Sequence, residues 1–199
     1  RLNNSAVEAV FTDQGAALAS IAFKAYPEKL DSNQPYRFEH EAQFPALSLA
    51  VAGGPGQLTP FTPPFRLVER SSNHLRFEYT LQQGVLLVRE YRLGQDDSAL
   101  YSLWHQTSVV NQTPQSFRLP ALYLSVGTAP YEKVDAAGYY LNVGYYNGQK
   151  VKFWDLGQFL DSNGFLGIGK RKAVSYQQFE GGPIDWVSVK NQFFASVLT

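Results

Sequence analysis

The chain has 199 residues, of which 44% are hydrophobic and 15% aromatic, and its 17 basic and 17 acidic side chains cancel. A chain of this length can bury roughly 70% of its unfolded surface, so it can fold without a disulfide or a metal. The balanced charge provides no long-range field that would attract nucleic acid or an anionic membrane. The lack of cysteine excludes disulfides and thiolate metal sites. The sequence contains no run of about 18 apolar residues, which is the pattern that predicts a membrane span.

Strand patterns follow one another along the chain. Ala6–Phe11 and Ala16–Phe23 flank a short polar segment that ends at Gly15, whose backbone can supply the positive φ of a hairpin turn. Leu75 to Leu81 alternates apolar and polar residues, as a half-buried strand does, before a turn into Val85–Leu93. Further strands are predicted at Leu47–Val51, Leu100–Val110, Arg118–Val126, Tyr139–Tyr146 and Val151–Trp154.

The segment from Gly53 to Pro64 is rich in proline and glycine, which predicts a long surface loop. Many short strands with frequent turns predict an all-β sandwich. No internal repeat is present.

The end of the chain is also a strand pattern. Residues alternate between two faces from Ile184 to Val189, and a second apolar run follows at Phe193–Leu198. An apolar strand at a chain end leaves its backbone N–H and C=O groups without a neighbour. We therefore expect the sequence to be a fragment of a longer protein, with an edge strand near Phe193–Leu198.

Three segments carry a family resemblance and occur in the family's order. They are Val7-x-Ala9-Val10-Phe11 with Gly15-Ala16-x-Leu18-x-x-Ile21-x-Phe23-x-x-Tyr26-Pro27, then Glu90-Tyr91-x-Leu93 through Asp97, Leu100-Tyr101 and Val109-x-Asn111-x-Thr113, and finally Gly181-Gly182-x-Ile184-x-Trp186-Val187-x-Val189-Lys190-x-x-Phe193-Phe194. Together they resemble the large periplasmic domain of the YidC membrane-protein insertase family across nearly the whole chain.

The resemblance implies one periplasmic domain over residues 1–199. Its fold would be the galactose-mutarotase-like β-super-sandwich, incomplete at the C-terminus because the family domain continues beyond the Phe-Phe segment. The location would be the periplasmic side of the bacterial inner membrane, with a multi-pass full-length protein attached through segments absent from this chain.

The resemblance also implies a function without catalysis and without a cofactor. The domain would serve as an accessory docking surface for membrane protein insertion. The partners would be the Sec translocon with its SecDF components and nascent membrane proteins.

The densest aromatic stretch predicts where a partner or ligand surface would lie. Tyrosine pairs occur at residues 139–140 and 145–146, and strand neighbours point to opposite faces, so one of each pair can face a given surface. The candidates are Tyr139, Tyr145 and Trp154, and the plain alternative is that half of these rings fill the core. A carbohydrate-binding module or degenerate mutarotase-like domain is the alternative function, with the same rings stacking on sugars and Asn142 or Asn147 bonding hydroxyls.

Catalytic and metal sites are not predicted. A mutarotase-type reaction needs a histidine and a glutamate in one cleft, and His40, His74 and His105 share no local motif with a well-placed carboxylate or with one another. Gly164 to Lys170 matches the spacing of a phosphate-binding loop, but Arg171 stands where a Ser or Thr is required, so a glycine-rich turn is predicted.

Two polar motifs have ordinary interpretations beside the functional ones. The triplet Lys170-Arg171-Lys172 could contact lipid headgroups, although such a triplet is more often a solvated turn. Asn111, in a formal glycosylation sequon, is predicted to cap the turn at Thr113-Pro114.

Overall fold

The computed structural model describes residues 1–39, 44–54, 56–131, 135, 137–164, 169–179 and 182–199. Across these residues every regular element is a β-strand except one 3-10 helix, Leu156–Phe159. The prediction of an all-β, sandwich-like fold is therefore confirmed. No helix in the described ranges is long and apolar enough to cross a membrane.

The chain forms two compact units. The first contains Arg1–Ala52 and Thr59–Ser125, and the second contains Gly53–Leu58 and Val126–Thr199. The prediction of one domain over residues 1–199 stays a prediction.

The first unit contains two four-stranded sheets. One has the strands β1 (Leu2–Asn3), β2 (Val7–Phe11), β3 (Leu18–Pro27) and β4 (Pro35–Glu39) in chain order. The other has the strands β7 (Arg66–Arg70), β8 (His74–Gln82), β9 (Val85–Leu93) and β10 (Leu103–Asn111), in the order β10-β9-β8-β7. All neighbours in both sheets are antiparallel.

The β8–β9 hairpin forms where the alternation is strictest. Leu75 and Phe77 on β8 lie on the same face as Leu87 and Tyr91 on β9, and all four are buried. Burying one face of an antiparallel pair fixes its register, because a slip by one residue would expose that whole set.

A three-stranded sheet corrects the prediction for residues 53–64. Its order is β11-β5-β6, with β5 (Leu49–Gly54), β6 (Gln57–Phe61) and β11 (Leu122–Leu124). The predicted loop therefore contains a strand, and Pro60 lies within it, in agreement with the confinement of proline largely to edge strands such as β6.

The second unit contains one antiparallel sheet, ordered β13-β12-β14-β15. Its strands are β12 (Asn142–Tyr146), β13 (Val151–Asp155), β14 (Trp186–Lys190) and β15 (Ala195–Leu198). Within the described residues β15 pairs only with β14, as the expected edge strand near Phe193–Leu198 requires.

Candidate functional site

A tight turn in the second unit presents two tyrosines to solvent. The buried Asp135 carboxylate accepts hydrogen bonds from the backbone N–H of Tyr139 (2.8 Å) and of Tyr140 (2.9 Å). Gly138 closes the turn at φ 67° and donates its N–H to the Asp135 carbonyl. Tyr139 is 80% exposed and Tyr140 about half exposed. The predicted strand Tyr139–Tyr146 starts only at Asn142, because Asp135 holds the residues before it in this turn.

Tyr145 and Trp154, the other two predicted surface residues, lie in a packed aromatic cluster. Tyr145 is only 6% exposed, and its ring centroid lies 5.2 Å from that of Trp154 and 4.3 Å from that of Phe179. The Lys152 ammonium lies 4.7 Å from the Trp154 ring centroid. The ring of Tyr145 is therefore unavailable to a partner, and these two residues do not form the open platform on which a sugar would stack.

The opposite face of the same sheet carries a partly exposed aromatic cluster that the sequence analysis missed. Strand pairing places five side chains on this face, which we call the aromatic face, namely Tyr146, Val151, Phe153, Trp186 and Val197. The Phe153 and Trp186 ring centroids are 6.1 Å apart, and those of Tyr146 and Trp186 are 6.3 Å apart. Val151, Phe153 and Val197 are each about half exposed, whereas Tyr146 and Trp186 are partly buried.

Gly144 makes room for this arrangement. Phe153 is paired with Gly144 across β12 and β13, and a Cβ at Gly144 would overlap the Phe153 ring. The aromatic ring covers the glycine backbone, an arrangement that stabilises glycine within a sheet. In the sequence, the two-residue spacing of Val151 and Phe153 indicates that both side chains lie on one face of a strand. The strand register is needed to show that Tyr146 and Trp186 lie on the same face.

Exposed apolar side chains concentrate in the second unit, although it has fewer residues than the first. Most of the large hydrophobic side chains that are exposed among the described residues belong to it. Exposed apolar side chains that share one surface are typical of an interaction site, and Val151, Phe153 and Val197 share the aromatic face. The candidate functional site is therefore the aromatic face together with the exposed turn that carries Tyr139 and Tyr140.

The most perturbed titratable groups lie elsewhere, in the core of the first unit. Burial, and secondarily the Arg89 charge, lower the pKa of His105 from 6.5 to about 4. Burial also raises the pKa of Tyr91 and lowers that of Arg89. The Arg89 Nη2 lies 3.0 Å from the His105 Nε2, and Tyr91 stacks on the His105 ring with centroids 5.0 Å apart.

Backbone carbonyl groups bind the polar atoms of Arg89 and Tyr91 in this cluster. Arg89 donates hydrogen bonds to the carbonyls of Gly15 (2.7 Å) and Leu47, and Tyr91 donates its hydroxyl proton to the carbonyl of Ala16. Its side chains therefore serve packing, and the described structure places no carboxylate against His105 that could complete an acid–base pair. Arg89 was missed by the sequence analysis, although an arginine on the apolar side of an alternating strand is a detectable signal.

Comparison with known families decides the assignment. The family model described as YidC periplasmic domain matches residues 1–199. The chain belongs to the YidC periplasmic domain family. The predicted resemblance is thus confirmed, and family membership places the domain in the periplasm as part of a membrane-anchored protein. No curated protein matches the sequence.

The other two histidines of the chain are His74 and His40. His74 lies 3.5 Å from Glu90 and 3.8 Å from Glu69, on the polar face of the β7–β10 sheet, where Arg76 pairs with the same carboxylates. These side chains form a partly buried ion-pair network, because His74, Arg76 and Glu90 are each less than a third exposed. His40 lies outside the described residues, and within them no group of histidine and acidic residues is placed to hold a metal ion.

The structure describes the remaining motifs in part. Residues 165–168 of the glycine-rich segment lie outside the described structure, while Lys170 and Lys172 are exposed and Arg171 donates to the Gly157 carbonyl. The Asn111 side chain accepts from the Thr113 N–H (3.0 Å) and donates to the Gln115 carbonyl (2.7 Å), so the predicted turn cap is confirmed.

Proposed function

We propose that this domain is a non-catalytic docking surface of a YidC-type membrane-protein insertase and chaperone. The aromatic face would hold a partner during membrane protein insertion, and the partners would be the Sec translocon, its SecDF components or nascent membrane proteins. The observation that supports this most directly is the solvent exposure of Val151, Phe153 and Val197 on one face of a regular, paired sheet.

The composition of the aromatic face supports docking. Aromatic residues are enriched in protein interfaces, and binding energy concentrates in a few rings that a partner covers and removes from water. The strand ladders fix the backbone beneath Phe153 and Trp186, so docking requires little ordering of the protein. Asn142, Asp155 and Lys190 lie on the same side of the sheet at one end, as a polar rim.

The chemistry of the histidines supports the absence of catalysis. His105 contacts Arg89, Tyr91 and Thr107, and burial lowers its pKa to about 4, so its imidazole is neutral near pH 7. A general acid must be protonated, and a general base needs a ring nitrogen that is free to accept a proton from the substrate. His105 is unprotonated near pH 7, and its Nε2 lies 3.0 Å from the Arg89 Nη2 and 2.9 Å from the Thr107 hydroxyl oxygen.

Site-specific photocrosslinking in the membrane-embedded full-length protein tests the proposal. A photoreactive phenylalanine analogue at Phe153 should crosslink to a Sec component or to a nascent membrane protein. The same analogue at Trp104, an exposed aromatic position in the first unit, is the matched control and should give markedly less. Equal crosslinking at both positions, or none at Phe153, would contradict docking through this face.

A further inference from the structure

The β3–β4 hairpin of the first unit projects into solvent. From Lys24 to Pro27 every residue of β3 is exposed, so neither face of this end of the strand is covered. Leu30, in the connecting turn, is 92% exposed, the highest value among the exposed large hydrophobic side chains of the described structure.

Local hydrogen bonds hold Leu30 in this exposed position. The Ser32 N–H donates to the Lys29 carbonyl (3.0 Å), and the Glu28 N–H donates to the Gln34 carbonyl (2.8 Å). Asp31 has a φ of 68°, the left-handed conformation that the third residue of a type II turn requires. Leu30 is therefore presented at the tip of a defined turn.

Aromatic rings surround the base of this hairpin. The Phe23 ring centroid lies 6.4 Å from that of Tyr26, 6.4 Å from that of Tyr36 and 6.2 Å from that of Tyr101. Tyr26 and Tyr101 are about half exposed. Tyrosine combines an apolar ring with a polar hydroxyl and is enriched where membranes meet water.

The shape of the hairpin favours a lipid surface over a protein partner. A stable protein interface covers about 800 Å² on each side and involves roughly 20–30 residues, whereas the tip offers one aliphatic side chain. Partial insertion into the headgroup region needs only an apolar tip and amphipathic neighbours. Lys29, beside Leu30, can keep its ammonium among the headgroups while its stem lies along the acyl boundary.

The acidic residues of the hairpin limit how deep it could insert. Glu28 and Asp31 flank the tip on either side, and a carboxylate is strongly disfavoured in the hydrocarbon core. The apolar contact is thus confined to the interface.

We propose that the β3–β4 hairpin contacts the phospholipid bilayer, with Leu30 inserted at the headgroup–acyl boundary and the tyrosines at its base facing the headgroups.

This inference goes beyond docking through the aromatic face, and its test contains no partner protein. The chain has no cysteine, so Leu30→Cys allows an environment-sensitive fluorophore to be attached at the tip alone. Leu119→Cys is the matched control, since Leu119 is an exposed leucine of another segment in the same unit.

Each labelled protein is mixed with vesicles of phosphatidylethanolamine and phosphatidylglycerol. The probe at position 30 should shift to shorter wavelength, brighten and be quenched by lipids that carry a quencher near the headgroups. The probe at position 119 should keep its aqueous spectrum. A probe at position 30 that also stays in water, or equal shifts at both positions, would overturn the proposal.

Unlabelled variants exclude binding caused by the fluorophore. Vesicle co-sedimentation of Leu30→Asp should fall at least about five-fold below that of the unsubstituted chain, because a carboxylate replaces the inserted side chain. Leu119→Asp should bind like the unsubstituted chain. If Leu30→Asp binds as well as the control, the tip is not the contact.

Discussion

Replacing Arg89 by methionine tests the packing account of the first unit most directly. The Arg89 side chain is 0% exposed and bonds the Gly15 and Leu47 carbonyls and the Thr107 hydroxyl. The Leu47 carbonyl belongs to a residue at φ 61°, and Gly15 directly precedes Ala16, which has a φ of 50°. Left-handed conformations cost a non-glycine residue roughly 1–2 kcal/mol each, so the segments around Ala16 and Leu47 depend on partners such as Arg89.

The expected loss can be estimated from these contacts. A hydrogen bond to a charged group contributes about 1.5–3 kcal/mol, and a buried carbonyl left without a partner costs about 1–3 kcal/mol. Methionine removes the desolvation penalty of the guanidinium and fills part of its volume, which offsets some of that loss. We expect Arg89→Met to lower the free energy of unfolding by about 3 kcal/mol, a large share of the 5–15 kcal/mol typical of a domain.

Urea denaturation followed by intrinsic fluorescence measures the effect. Arg66→Met is the matched control, because the Arg66 side chain is 73% exposed and its 2.9 Å ion pair with Glu78 lies at the surface. Exposed pairs contribute at most about 1 kcal/mol. If Arg89→Met lost no more stability than Arg66→Met, the role given to the buried guanidinium would be wrong.

Three further predictions concern stability, measured by denaturation midpoints. Because burial lowers the His105 pKa from 6.5 to about 4, the unfolded chain binds more protons between those values. The stability that comes from burying His105 as a neutral ring is fully present above pH 6.5 and is lost as pH falls towards 4, by up to about 3 kcal/mol. His105→Gln should reduce the dependence of the free energy of unfolding on pH in this range. An unchanged pH dependence would assign it to other groups. Ser48 is buried with a hydroxyl that has no partner among the described residues, so Ser48→Ala should stabilise by about 1 kcal/mol, whereas destabilisation would mean the hydroxyl is bonded. A Cβ at Gly94 would overlap the Ala99 carbonyl oxygen, so Gly94→Ala should destabilise the protein by about 1–3 kcal/mol. Gly182→Ala is the control, because a Cβ there would have open space around it, and it should change stability by less than about 0.5 kcal/mol. Equal effects of the two substitutions would refute the clash at Gly94.

Local patterns were sufficient for the strands whose own residues alternate. The β8 and β9 strands follow the predicted boundaries closely, because each carries enough apolar side chains on one face to define a buried surface. The β7 strand was missed because Arg66–Arg70 is mostly polar and becomes a strand by pairing with β8. Strand propensity is a property of the pairing as much as of the segment.

The candidate site depends on long-range register, which the sequence does not display. Tyr139 was predicted as a surface residue and is exposed. Tyr145 was predicted as one too, but it is buried because β12 places its side chain on the face opposite the aromatic face. Phe153 and Trp186 are far apart in the chain and meet only because both of their strands pair with β12. A single sequence identifies aromatic density, while the fold decides which rings share a face.

The bonds made by Arg89 and Tyr91 also bear on the order in which the first unit assembles. They join residues 42, 74 and 75 positions apart. Closing such long loops costs more entropy than forming a hairpin, so we expect these bonds to form after the local β2–β3 and β8–β9 hairpins. Interactions completed after the rate-limiting barrier resist unfolding without accelerating folding. The bonds of Arg89 and Tyr91 would then slow unfolding, and stopped-flow measurements on Arg89→Met should show a faster unfolding rate. A change confined to the folding rate would mean that these bonds form before the rate-limiting barrier.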